Sequence, residues 1–225
     1  MITIVVPTHN EADIIRDTLT RIRSGAGSIP HEIVVSDDGS NDATVATAEG
    51  HAEQVVQYAG ELPKTIAANR NRGARAAHND ILMFLDSDTR LHDPAHFFDT
   101  VIRRFQENPT LVAMTGYARV YPEVETRADR IVLGYLNLQY RVMNLFGLGV
   151  THGKCMIVRA STFREVGGFK EHIVASEDFE LFTRLAKKMM GATMSGKPKK
   201  MIKESCHEVR KHKISVEMTI KGVCK

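Results

Sequence analysis

The 225-residue sequence predicts an α/β fold: a mixed, mostly parallel central sheet with helices on both faces. Three observations carry this expectation. Short apolar runs at 2–6, 33–35 and 81–85 are continuous rather than alternating, which suits strands covered on both sides. Segments with helical spacing lie between them, as right-handed βαβ crossovers require. A cluster of polar and acidic residues comes directly after each run, so parallel strands would gather all three clusters at one sheet edge.

After the run at 2–6, residues 11–24 place Ile15, Leu19 and Ile22 at i, i+4 and i+7 of a helix. Behind the run at 33–35, Ser40 reads as an N-cap for a helix over 41–50 that ends at Gly50. Residues 65–78 are rich in Ala and Arg and read as helix, and the third run comes next. Asp93 then caps a helix over 94–107 with Pro94 at its first position and Phe98, Val101, Ile102 and Phe105 facing inward. Residues 126–146 read as one long amphipathic helix, 155–158 as a short strand and 161–166 as a short helix. Ser176 starts a strong helix over 177–190, with Phe182, Leu185 and Met189 on one face. Beyond 196 strand signals are weak and charges many. No internal repeat or low-complexity linker divides the chain, so 1–225 is expected to be a single domain.

At 43% hydrophobic and 25% charged residues, the composition excludes a disordered tail, a collagen-like fibre and a disulfide-stapled miniprotein. Cys155, Cys206 and Cys224 are an odd number with no C-x-x-C pair, which argues against a zinc cluster and for a reducing compartment. The formal charge of +3 conceals an asymmetry: 196–225 carry nine Lys/Arg and three Asp/Glu, while 1–195 are net negative. The apolar N-terminus reaches Pro7 at once, without a basic leader, and the apolar stretch 131–150 is broken by Asn137, Gln139, Arg141 and Asn144. The expectation is a cytoplasmic protein with no nucleic-acid partner. Its basic tail would allow peripheral contact with the inner face of a membrane.

The three clusters are Pro7-Thr8-His9-Asn10-Glu11, Asp37-Asp38-Gly39-Ser40 and Asp86-Ser87-Asp88. The first two have ordinary structural alternatives, since Asn10 with Asp13 could cap a helix and Asp38-Gly39-Ser40 could form a capped turn. The third concentrates two carboxylates at the mouth of the core. A hard divalent cation shared with phosphates relieves that repulsion, a solvated loop being the alternative. There is no G-x-G-x-x-G behind the first strand and no Walker motif, which disfavours a Rossmann dehydrogenase and a P-loop NTPase. His207-Glu208 and His212 miss the H-E-x-x-H spacing by one residue, which excludes a zincin protease.

Five ordered segments carry a more specific resemblance: Val6-Pro7-Thr8-His9-Asn10-Glu11, Val35 to Asp42, Arg70-Asn71-Arg72-Gly73, Phe84 to Thr89, and Arg159 to Phe169 with Ser176-Glu177-Asp178. Over residues 2 to about 190 the chain resembles family 2 glycosyltransferases of the GT-A fold. The resemblance implies a nucleotide-sugar-binding half over 1–110, an acceptor and catalytic half over 111–195 and a basic tail over 196–225. It implies an inverting, metal-dependent transfer from a UDP- or GDP-sugar to a hydroxyl or polyprenyl-phosphate acceptor. Pro7, Thr8 and Glu11 would contact ribose and base, Asp37 the base, and Arg70 the base or diphosphate. Asp86 would hold ribose or metal, and Asp88 would ligate Mg²⁺ or Mn²⁺. Asp178 matches the general base, and Glu177 beside it would lie on the acceptor side. Gly153 falls in the acceptor-side loop, where Thr151-His152-Gly153-Lys154 departs from the family's usual Gly-Gly-Asn-like sequence. Lys154 and the lysines of 197–203 would meet an anionic acceptor, His207 would complete the metal site, and Arg210 would reach the diphosphate. A nucleotide-sugar-forming nucleotidyltransferase and a non-catalytic nucleotide- or carbohydrate-binding module are the competing readings. The first of these wants a glycine-rich basic loop where this chain has Thr8 to Glu11.

Asp178 carries opposing expectations. Its place in the first helical turn favours the ionised carboxylate, whereas Phe179 and Phe182 would desolvate it.

Overall fold

The computed structural model describes residues 1–60 and 62–194. One six-stranded sheet organises them: β1 (Ile2–Thr8), β2 (His31–Asp37), β3 (Gln54–Gln57), β4 (Ile81–Leu85), β5 (Ala113–Thr115) and β6 (Cys155–Arg159). The spatial order is β3-β2-β1-β4-β6-β5. Strands β3, β2, β1 and β4 pair in parallel, and β6 runs antiparallel to both β4 and β5. The chain moves outward from β1 to β3, then crosses back to place β4 on the other side of β1, so a crevice opens at the carboxyl ends of β1, β2 and β4.

Seven helices complete the described fold: α1 (Ile15–Ala26), α2 (Thr44–Glu49), α3 (Ile66–Ala76), α4 (Pro94–Glu107), α5 (Arg127–Leu145), α6 (Ala160–Glu165) and α7 (Glu177–Met194). Both sheet faces are covered, which is why the strands read as unbroken apolar runs. Ile2, Ile4, Val6, Ile33, Val35, Met83 and Leu85 point to one side, against Ile15, Leu19 and Ile22 of α1 and Phe97, Phe98 and Val101 of α4. Val5, Leu82, Phe84, Met156 and Val158 point to the other, against α3, α6 and Leu181, Phe182 and Leu185 of α7. Phe84, fully buried, packs edge-on to Phe169 at 5.0 Å between ring centroids. Burying a side chain of this size contributes about 1.5–3 kcal/mol.

Several local expectations are corrected. The two outer strands were not foreseen, because β3 has only two apolar residues and β5 only three residues in all. Helix α1 begins at Ile15, after a turn, and α2 begins at Thr44 with no side-chain cap. Ser40 does not cap α2: its hydroxyl donates to Asp37 and accepts from the Asn10 amide. Nor does Ser176 show a capping bond; it adopts φ +65°, and its carbonyl accepts from the Glu180 amide. The weak strand signals beyond 196, the 197–203 lysines, His207 and Arg210 lie outside the described residues. No helix among the described residues is long and apolar enough to cross a membrane.

Candidate active site

The first two polar clusters are stitched together where β1 and β2 end. Parallel register sets Thr8 opposite Asp37. Asp37 is 1% exposed, and both its oxygens accept hydrogen bonds within this corner. Oδ2 receives the amides of Gly39 (3.0 Å) and Ser40 (2.8 Å), and Oδ1 receives the hydroxyls of Thr8 (3.3 Å) and Ser40. Asp37, expected to accept a bond from a base, therefore shapes the loop that such a base would meet. Asn10, at φ +55°, accepts from the Asn41 amide, and Thr44 accepts from the amide of Glu11. Asn10 thus ties one loop to the other and caps no helix. Pro7 and Thr8 are buried at the end of β1, and Glu11 sits half-buried just beyond it.

Arg70 is the centre of the crevice. Helix α3 carries it close to the sheet because residue 73 is glycine: a Cβ there would lie 2.4 Å from Val5 Cγ1. The Arg70 guanidinium donates to Asp86 Oδ1 (2.9 Å), Glu177 Oε1 (2.5 Å) and the Gly153 carbonyl (3.1 Å), and stands 5.6 Å above the Phe169 ring. Burial opposes its charge, but Asp86, Glu177 and Asp178 outweigh that and hold its pKa above the ordinary value. A side chain expected near a base or diphosphate is instead committed inside the protein, where it joins β4, the 151–154 loop and the start of α7. The neighbouring Asn71 clamps the turn before α7, donating to the Phe169 carbonyl (2.8 Å) and accepting from its amide (2.9 Å).

The Asp86-Ser87-Asp88 loop is pinned from three directions. The Asp86 amide donates to the Lys154 carbonyl, Thr18 donates to the Ser87 carbonyl, and the Tyr121 hydroxyl donates to the Asp88 carbonyl. The side chains meet a cation. Lys154 Nζ lies 2.9 and 2.8 Å from the two oxygens of Asp88 and 3.4 Å from Asp86 Oδ2. This corrects the expected placement of Lys154, whose ammonium sits on the acidic pair and not free toward an acceptor. Antiparallel pairing is the reason: Leu85 at the end of β4 faces Cys155 at the start of β6, so the residue before β6 lands beside the residues after β4. The pair offers hard oxygen donors, and three of its oxygens already converge on one positive charge, so the donor set suits a divalent cation. Among the described residues no three His, Cys, Asp or Glu side chains converge to hold a metal unaided. Asp88 and Asp86 would therefore share one with a ligand's phosphates.

Asp178 is 8% exposed, and its Oδ2 packs against Gly153, where a Cβ would come within 2.7 Å. Burial raises its pKa, Glu177 adds to the rise, and Arg70 together with backbone amides opposes it. Desolvation wins over the helix terminus. Around this carboxylate are groups that sequence reading did not single out. The Tyr140 ring lies 4.5 Å from the His152 ring and 5.7 Å edge-on from Phe179. Burial and Asp178 both push the Tyr140 hydroxyl pKa up, burial more. His152 Nε2 contacts Asn137 Oδ1 at 2.9 Å, and burial lowers its pKa to about 4, so it is neutral near pH 7. Nothing in the spacing of a lone Tyr or His pointed here; only the position of His152 next to Gly153 was a signal.

The chain matches glycosyl transferase family 2 over residues 3–167. It is 31% identical over 187 residues to poly-β-1,6-N-acetyl-D-glucosamine synthase of Staphylococcus epidermidis, covering 78% of this chain and 43% of that protein. It is 25% identical over 190 residues to the succinoglycan biosynthesis protein ExoA of Rhizobium meliloti, covering 82% of this chain and 57% of that one. Among solved structures, the mannosyltransferase PcManGT of Pyrobaculum calidifontis, in complex with GDP-Man and Mn²⁺, superposes with a TM-score of 0.60 at 22% identity, over 80% of this chain and 50% of that one. S. aureus TarS 1–349, in complex with UDP-GlcNAc, superposes with a TM-score of 0.59 at 17% identity, over 80% of this chain and 52% of that one. The chain thus spans about half the length of these proteins, and the structural likenesses establish the GT-A fold expected from the sequence. With its motifs at the sheet edge and the family match running from β1 past α6, the chain belongs to glycosyl transferase family 2.

Proposed function

We propose that this chain is the catalytic part of an inverting glycosyltransferase that moves a sugar from a UDP- or GDP-sugar to the hydroxyl of a saccharide acceptor, Asp178 being the base. One observation carries this reading: a buried Asp178 with a raised pKa packs on Gly153 and feels the charge of Arg70, which is itself bonded to Asp86, Glu177 and the Gly153 carbonyl. Donor and acceptor chemistry then lie on either side of Gly153. The corner at Pro7, Thr8, Glu11 and Asp37 receives the nucleoside. The aromatic faces of Tyr140, His152 and Phe179 suit the apolar face of a sugar ring better than a phosphate, which favours a saccharide over a lipid-phosphate acceptor. The names of the relatives from S. epidermidis and R. meliloti, both concerned with polysaccharides, support the same choice.

As the acceptor oxygen bonds to the anomeric carbon, the bond from that carbon to the diphosphate oxygen breaks and its electron pair leaves with the nucleoside diphosphate. The acceptor proton passes to an Asp178 oxygen, a transfer favoured by the raised pKa. Arg70 and Glu177 hold the start of α7 against the 151–154 loop, which aims that oxygen. A Mg²⁺ or Mn²⁺ ion held by Asp88 with Asp86 would supply Lewis-acid neutralisation of the leaving diphosphate.

The test is turnover of UDP- and GDP-sugars with Mn²⁺ and saccharide acceptors, for the wild type and Asp178→Asn. The variant is expected to keep nucleotide binding, read as a thermal shift with UDP or GDP, and to lose about 10²–10⁴ in rate. Wild-type turnover by Asp178→Asn overturns the assignment.

A further inference from the structure

Lys154 has a place in the site that the family resemblance does not account for. Its ammonium satisfies three of the four oxygens of the Asp86–Asp88 pair, and the fourth is held by Arg70. The two cations are held differently. The Arg70 side chain is 4% exposed and bonded to three groups, whereas the Lys154 side chain is 32% exposed against an Asp88 that is 29% exposed. The Lys154 backbone is anchored, since its carbonyl accepts from the Asp86 amide, but its side chain ends in one rotatable point charge facing solvent. The guanidinium is therefore part of the framework, and the ammonium is free to leave.

We infer that Lys154 is an exchangeable counter-cation: it holds the cation position on Asp86 and Asp88 in the absence of donor and yields it when a nucleoside diphosphate arrives with a divalent metal. The inference rests on the reading of this crevice as a nucleotide-sugar site. Charge balance gives the consequence. A divalent cation arriving alone must push the ammonium off the pair and leave it without an anionic partner. A diphosphate arriving with the metal supplies that partner, so metal and nucleotide favour each other's binding, and reciprocally. Lys154 thereby sets the order of loading and keeps two neighbouring carboxylates compensated while the site awaits donor.

The experiment is a Mn²⁺ titration of the 225-residue chain, read through the electron paramagnetic resonance signal of the free ion, alone and with UDP or GDP. In the wild type, nucleotide is expected to tighten Mn²⁺ at least ~10-fold. Lys154→Met is expected to bind Mn²⁺ alone at least ~10-fold more tightly than the wild type, with a correspondingly smaller gain from nucleotide. Lys154→Arg, which keeps the charge, is expected to stay close to the wild type, and Lys154→Gln provides a second neutral variant should the Met variant melt early. Equal Mn²⁺ affinity of the wild type and both neutral variants overturns the exchange. Undiminished Mn²⁺ binding by Asp88→Asn overturns the site reading itself, which separates the two failures.

Discussion

The two sides of Gly153 are built in opposite ways. On the proposed donor side the polar groups sit at the ends of β1, β2 and β4, short strands with 0% to 5% exposure along their apolar residues. Their hydrogen bonds close within the corner, as at Asp37. On the proposed acceptor side α7 contributes Asp178 and Phe179, while Tyr140 and His152 come from α5, a 19-residue helix with none of its residues buried, and from a loop that other loops and α5 hold in place. Asn144 brackets Val150 from both sides, accepting from its amide (2.7 Å) and donating to its carbonyl (2.8 Å), and Asn137 joins Ala118 to His152. The proposed donor side draws its rigidity from the core, as does α7, whereas Tyr140 and His152 are held by a few side-chain clamps. Within one family, such a layout lets donor binding be retained while acceptor preference changes, because clamps are replaced at less cost than a core.

Substitutions test this contrast. Asp178→Asn is expected to cause the largest change, a rate loss of about 10²–10⁴, while stabilising the fold near neutral pH. The sign comes from the raised pKa: the folded state binds the proton more tightly than the unfolded one, so the ionised carboxylate costs stability once pH exceeds the unfolded value near 3.8. A thermal melt showing the variant less stable than the wild type at pH 7 would contradict that. Arg70→Met leaves the buried Glu177 without its cation and Asp86 with Lys154 alone, and removing one partner of such a buried pair costs about 3–5 kcal/mol. Urea unfolding measures it; a loss below about 1 kcal/mol would mean that the two halves do not depend on this link.

His152 gives a pH test of the acceptor side. Its pKa falls from 6.5 to about 4 on burial, so the unfolded chain binds more protons between those values, and stability contributed by neutral His152 drops as pH falls through that window. The full loss is of order 3 kcal/mol, and His152→Gln is expected to flatten this part of the stability profile. An unchanged acid limb would place His152 in solvent rather than against Tyr140. The smallest effect is expected at Thr126, whose hydroxyl accepts from the Asp129 amide while the Asp129 carboxylate accepts from the Thr126 amide. Thr126→Ala removes this cap from a helix with little core contact, at about 1 kcal/mol and a fall in Tm of roughly 2–4 °C.

Much of the sheet-edge crevice was legible in the sequence. Continuous apolar runs mark strands covered on both faces, and the residues immediately after such a strand must emerge at the sheet edge. Thr8, Asp37 and Asp86 could therefore be assigned to one crevice by counting residues. The helical row that Asp178 shares with Phe182 and Leu185 points it inward, and all three are buried. Other features left no pattern. Strand β5 is three residues long, and the Tyr140–His152 stack pairs residues from a helix and a distant loop.

The sequence by itself determined that a mostly parallel α/β sheet forms and that carboxylates collect at its edge, because side-chain periodicity and burial act over a few residues. Only the tertiary structure decided which charges meet there. The antiparallel return of β6 sets Lys154 on Asp88, and the close approach of α3 at Gly73 turns Arg70 inward to bind Asp86 and Glu177. Ion pairs of this kind depend on distances of about 3 Å between residues 16 to 107 positions apart, and no local pattern along the chain encodes such distances.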